Sequence, residues 1–136
     1  MSVSTTEIRV PISPGELIDK ITILEIKSER MSDAKKVANV KHELSLLTGT
    51  WKESAYSRVD ISDEWKSLKD INAKLWVVED DIRDKERAQQ FDARFIELAR
   101  AVYVINDERA AVKRKINDKL GSKIVEEKSY ADYRAK

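Results

Sequence analysis

The chain contains no cysteine, which excludes disulfides, thiolate metal sites and cysteine nucleophiles. Its three Gly and two Pro are too few for a sheet protein full of turns. A single histidine, His42, cannot build a metal site alone, and no Asp/Glu cluster has ligand geometry, so neither metal nor cofactor is expected. Neither sign of charge dominates: 26 Lys and Arg against 25 Asp and Glu leave a formal charge of +1. Broad binding to DNA, RNA or a membrane surface needs a basic excess, so none of these is an expected partner. No run approaches the ~20 apolar residues of a membrane span. The opening "MSVSTTEIRV" lacks the basic start and apolar core of a signal peptide, so a cytoplasmic protein is expected. A Gly-rich phosphate loop and an activated serine are also missing, so no catalytic residue is assigned.

What the chain does have is charge and aliphatic side chains at helical spacing. Charged residues make up 38% and hydrophobic ones 41% of 136 residues, which suits one domain, 1–136, of long amphipathic helices. "EIRVPI" alternates at Ile8, Val10 and Ile12 and reads as a short edge strand or extended arm. "SPGE" is a complete helix start, with Ser13 as cap, Pro14 at the first position and Glu16 closing a capping box. The first helix then runs to about residue 31, burying Leu17, Ile18, Ile21, Leu24 and either Ile26 or Met31. A second, from about residue 32 to 47, buries Val37, Val40, Leu44 and Leu47 and is ended by "TGT". Residues 51–61 are the least regular part of the chain. A third helix starts at "SDEW" with Ser62 as cap and a stripe of Trp65, Leu68, Ile71, Leu75, Val78 and Ile82. The charged run "DDIRDKERAQQ" either carries it outward or turns it. The fourth, from about residue 92 to 120, uses Phe95, Leu98, Val102, Ile105, Val112, Ile116 and Leu120, and Gly121 stops it.

The expected fold is mainly α, an antiparallel helical bundle with two long helices. The C-terminal stretch offers a strand beside "EIRVPI", for a small two-stranded β-ribbon, or else docks Tyr130 and Tyr133 as a last turn. The two long helices, ~30 to 40 Å at 1.5 Å per residue, exceed what one small bundle needs. Self-association into a homodimer or larger assembly is therefore expected.

One residue breaks the fourth stripe: Arg109 stands between Ile105 and Val112, in line with the core. Beside it Tyr103, Asn106, Lys113 and Asn117 share a polar face, and Asn72, Trp76, Glu79 and Arg83 form a comparable face on the third helix. In one reading Arg109 covers the core with its methylenes or pairs with Asp70 or Glu64. In the other, Arg109, Lys113 and Arg83 hold a small anion, since a guanidinium offers carboxylate or phosphate a rigid fork of donors. The candidate ligand-binding set is Arg109, Lys113, Asn106, Arg83, Trp76, Asn72, Tyr103 and Lys20. The backbone near Gly15, with Lys20 one turn on, offers a second anion contact, which the Glu16 carboxylate is expected to occupy instead. Trp and Tyr in these faces suit a planar base.

"SPGELIDKITILEIK", "NAKLWVVEDDIR", "FIELARAVYVINDERAAVKRKIN" and "GSKIVEEKSYADY" together resemble an uncharacterised family of short bacterial and phage proteins, a domain of unknown function. The likeness runs from about residue 10 to 133, with the four motifs in the family's order. It implies that Ser13, Gly15, Glu16, Asp19, Lys20, Trp76, Glu79, Arg83, Asn106, Asp107, Arg109 and Lys113 lie within shared motifs. N-x-x-L-W-x-x-E-D, residues 72–80, is also similar to a second helical family of unknown role. "ELIDKITILEIKSERM" followed by "VANVKHEL" is similar in rhythm to all-helical chorismate mutases, from which the rest departs. The paired E-x-x-E and E-x-x-D motifs of helical nucleotide pyrophosphatases are missing from the two long helices. The leading expectation is a non-enzymatic, homo-oligomeric protein that binds a small anion such as a nucleotide, with sequestration of a signalling nucleotide as one use that the family context suggests. A structural or adaptor protein, and a small enzyme of mutase or pyrophosphatase type, are the alternatives.

Overall fold

Ser13 opens the first helix as its sequence implies: its side chain accepts the backbone N–H of Glu16, and Pro14 takes the first helical position. The computed structural model describes residues 6–134. Among these, α1 is Pro14–Arg30, α2 Ala34–Glu53, α3 Ser62–Arg87 and α4 Ala93–Leu120, with a 3₁₀ turn at Ala55–Arg58. The bundle is all-α, and α3 and α4 are its long antiparallel pair. No strand forms among the described residues, so residues 6–12 and the C-terminal stretch do not make the optional ribbon. Ile8 and Val10 stay exposed.

The stripe of α1 is buried where its spacing puts it: Leu17, Ile18, Ile21, Leu24 and Ile26 all enter the core, while Met31 is only half-buried. Leu17, Ile18 and Ile21 share one cluster with Leu68 of α3 and Ile116 and Leu120 of α4. α2 lies against α1 with Val37, Val40, Leu44 and Leu47 half-buried.

Three element limits differ from the sequence reading. α2 starts at Ala34 instead of about residue 32, with Asp33 capping it through the Lys36 N–H. "TGT" does not end that helix, which runs on to Glu53 so that Trp51 can pack edge-on against Trp65 at 5.9 Å. Burying an indole outweighs the ~1 kcal/mol that a helical glycine costs. Ser62 is the first residue of α3 instead of its cap: Asp60 accepts both its N–H and its hydroxyl. The charged run extends α3 to Arg87 and then turns at Gln89, which has φ 56°. Asp92 caps α4 through Phe95 and pairs with Lys85 across the turn at 2.9 Å. Gly121 ends α4 in the left-handed region, φ 67°.

Beyond Gly121 the chain turns back along α4. Glu126 meets Lys113 at 3.2 Å, Glu127 meets Arg114 at 3.9 Å, and Lys128 pairs with Asp107. Tyr133 then stands edge-on to Tyr103, with centroids 5.1 Å apart, while Tyr130 is exposed.

Candidate functional site

A polar seam runs through the apolar contact of α1 with α3 and α4, and Asp19 is its hub. This carboxylate is 4% exposed, on the face of α1 that also carries Ile18 and Thr22. Its Oδ1 accepts from Asn72 Nδ2 at 3.0 Å and lies 4.0 Å from Arg109 Nε, and its Oδ2 lies 3.9 Å from Lys113 Nζ. Thr22 donates its hydroxyl proton to the Asp19 carbonyl and so accepts from Asn72 Nδ2 at 3.0 Å. Two acceptors thus fix which end of the amide faces α1. Asn72 Oδ1 is left buried and without a hydrogen bond. Such a group typically costs about 1–3 kcal/mol.

Lys113 closes the seam toward the start of α1. Its Nζ donates to Glu16 at 2.6 Å and is also near Asp19 and Glu126. Burial works against the lysine charge, but the Glu16 hydrogen bond and the Asp19 and Glu16 charges outweigh it and raise the pKa. For Glu16, burial pulls upward, while the hydrogen bond and charge of Lys113, with Lys20 and Arg109 adding, hold the carboxyl below its usual value. Lys20 is half-exposed, 3.7 Å from Glu16. The expected anion contact near Gly15 is filled differently from the sequence reading. Gly15 N–H donates to Asn117 Oδ1 at 2.7 Å, and the Glu16 carboxylate turns to the two lysines.

On the other side of the hub a groove of about 310 Å³ opens between α1 and α3. Ile23, Ile26 and Leu75 line it with Asn72, Trp76, Glu79, Asp80, Arg83 and Arg109. Arg83 is tied to Glu79 one turn back. Arg109 is not tied in this way. Its side chain is 29% exposed, its nearest carboxylate is at the 4.0 Å limit of an ion pair, and no hydrogen bond reaches it among the described residues. Glu64 and Asp70, the acids that the sequence offered it, are taken by Lys119 and Lys66.

Of the eight sequence candidates, the groove gathers Asn72, Trp76, Arg83 and Arg109. Lys113 and Lys20 belong to the adjoining ion-pair cluster, where their charges are met by the chain's own acids. Asn106 and Tyr103 do not line the groove; Tyr103 is turned to Tyr133. Sequence reasoning left Thr22 out altogether and gave Asp19 no role of its own. Its signal was an acid at a buried position of α1, matching the guanidinium in the stripe of α4. His42 is exposed. No group of three or more metal-ligating side chains occurs among the described residues, and no helix there is long and apolar enough to cross a membrane.

A protein-family model matches residues 8–134. The chain belongs to the family of unknown function DUF6165. That span takes in the whole seam and groove of this DUF6165 protein. No curated protein and no solved structure matches it.

Proposed function

We propose that this DUF6165 protein is a non-enzymatic binding protein whose groove takes a small anion with a planar or apolar body, a nucleotide being the leading case. The observation that carries the reading is Arg109, a largely buried guanidinium at the groove with its donors unmatched by the chain. A carboxylate or phosphate fits that fork, and Trp76 with Ile23, Ile26 and Leu75 offers a flat apolar wall beside it. Binding is favoured over turnover because Asp19, the acid nearest Arg109, is sealed beneath Asn72 and Lys113 and cannot meet a substrate.

Thermal shift with a panel of nucleotides and small acids tests this. A ligand at ~100 times its Kd adds about 2.7 kcal/mol, a rise in Tm of roughly 8 °C. Arg109→Leu should abolish the rise. If nothing in the panel shifts the melt, and Arg109→Leu melts above the parent, the reading is lost.

Self-association belongs to the same proposal. Val77, Phe91 and Ile96 leave apolar surface exposed toward the turn of the α3–α4 hairpin, where a second copy would cover it. Light scattering should give at least twice the 15.7 kDa of one chain. A mass of one chain at micromolar concentration would remove that part.

A further inference from the structure

The groove is chemically different at its two ends, and the difference says more about its occupant than Arg109 alone. Asn72, Trp76, Glu79, Asp80 and Arg83 all line it from α3. Arg109 stands at the Asn72 end, since both reach the same oxygen of Asp19. Asp80 lies two turns further, ~12 Å along the helix axis at 1.5 Å per residue. Its exposed carboxylate has no hydrogen bond or ion pair among the described residues. The neighbouring Glu79 is engaged by Arg83. Midway, Trp76 is half-buried with its indole N–H also unmatched. The groove therefore presents a guanidinium without hydrogen-bond partners, a flat aromatic wall and a free carboxylate in sequence.

Resting on the binding role proposed above, we infer that the groove selects a nucleoside monophosphate whose base presents two adjacent N–H donors, which is guanine. The phosphate meets Arg109, the ring lies against Trp76, and the guanine N1–H and exocyclic amine donate to Asp80. An ionised carboxylate is acceptor-only, with two oxygens set for such a pair of donors. Uracil sets a single N–H between two carbonyl oxygens, which that carboxylate repels. Base edge and phosphate of a mononucleotide are far enough apart to reach both ends, whereas a simple amino acid has its ammonium and carboxylate on one carbon and cannot.

Calorimetric titration of the full chain with GMP, UMP, guanosine and inorganic phosphate tests this. GMP should bind about tenfold or more tightly than UMP, the size expected for hydrogen bonds to a charged acceptor. Guanosine and phosphate should each bind more weakly than GMP. Asp80→Asn, an exposed change that leaves the core alone, should bring GMP and UMP close together, weakening GMP by the loss of its charged acceptor and strengthening UMP by relief of the repulsion. Arg109→Leu should weaken both nucleotides alike. Equal affinity for GMP and UMP in the parent overturns the base assignment and leaves the binding role standing. Failure of every nucleotide to bind overturns both.

Discussion

Gly15→Ala is expected to lower stability by about 3 kcal/mol, at the upper end of overpacking costs, and to drop Tm by roughly 10 °C. The start of α1 approaches α4 so closely that a Cβ on Gly15 would stand 2.5 Å from the Lys113 carbonyl oxygen and 2.9 Å from Asn117 Oδ1. Neither atom can yield easily. The first is helix backbone, and the second holds the Gly15 N–H at 2.7 Å. Alanine brings up to ~1 kcal/mol of helix propensity, which reduces the loss without reversing it. Gly49 is the internal control: it is also helical, but a Cβ there meets nothing within 4 Å. Gly49→Ala should stabilise by ~0.5 to 1 kcal/mol. Urea denaturation of both variants measures the contrast, and two variants moving in the same direction would refute the close-approach account.

Lys113→Met is expected to cost about 3 kcal/mol near neutral pH, because it leaves buried carboxylates without their cation. Methionine keeps the length of the stem, so the loss comes from charge and not from a cavity. Asp19 would keep Asn72 and Arg109 at 4.0 Å, and Glu16 would keep Lys20 and the weaker pull of Arg109. The pH dependence identifies the cause. Glu16 has a depressed pKa in the folded chain, so its contribution is present above the ordinary carboxylate range and fades as pH falls through the folded value. Lys113 has a raised pKa, so its contribution is complete below 10.5 and fades as pH rises through the folded value. The gap between parent and variant should therefore be widest between these limits and narrow in acid. A gap of the same size at pH 3 and pH 7 would show that packing, not pairing, was lost.

Much of the scaffold is legible in the residues themselves. The stripe of α1, the capping of that helix at Ser13, the Asp92-to-Gly121 limits of α4 and the antiparallel long pair all follow from spacing and cap chemistry. α2 is harder, because "TGT" carries a genuine local stop signal that Trp51 overrides only through its contact with Trp65 on another helix. The site divides in the same way. Arg109 is conspicuous as a charge in an apolar stripe, and Asn72, Trp76 and Arg83 share its groove through simple helical periodicity. Lys113 has the same spacing but a different fate, since Glu16 lies 97 residues away in sequence. No local pattern reveals that this acid arrives there. Asn106 and Tyr103 illustrate a further limit: periodicity puts Tyr103 on the face of α4, but only the path of the chain beyond Gly121 sets Tyr133 against it.

The clasp of Gly15 by Asn117 joins positions 102 residues apart. During synthesis, α1 leaves the ribosome about a hundred residues ahead of the part of α4 that receives it. Until then Ile18 and Ile21 have no α4 to cover them, and a nascent chain in that condition is vulnerable to aggregation. The long pair can close on itself across a short turn as soon as it is made. Of the four helices, the one made earliest is thus the last to find its full complement of neighbours.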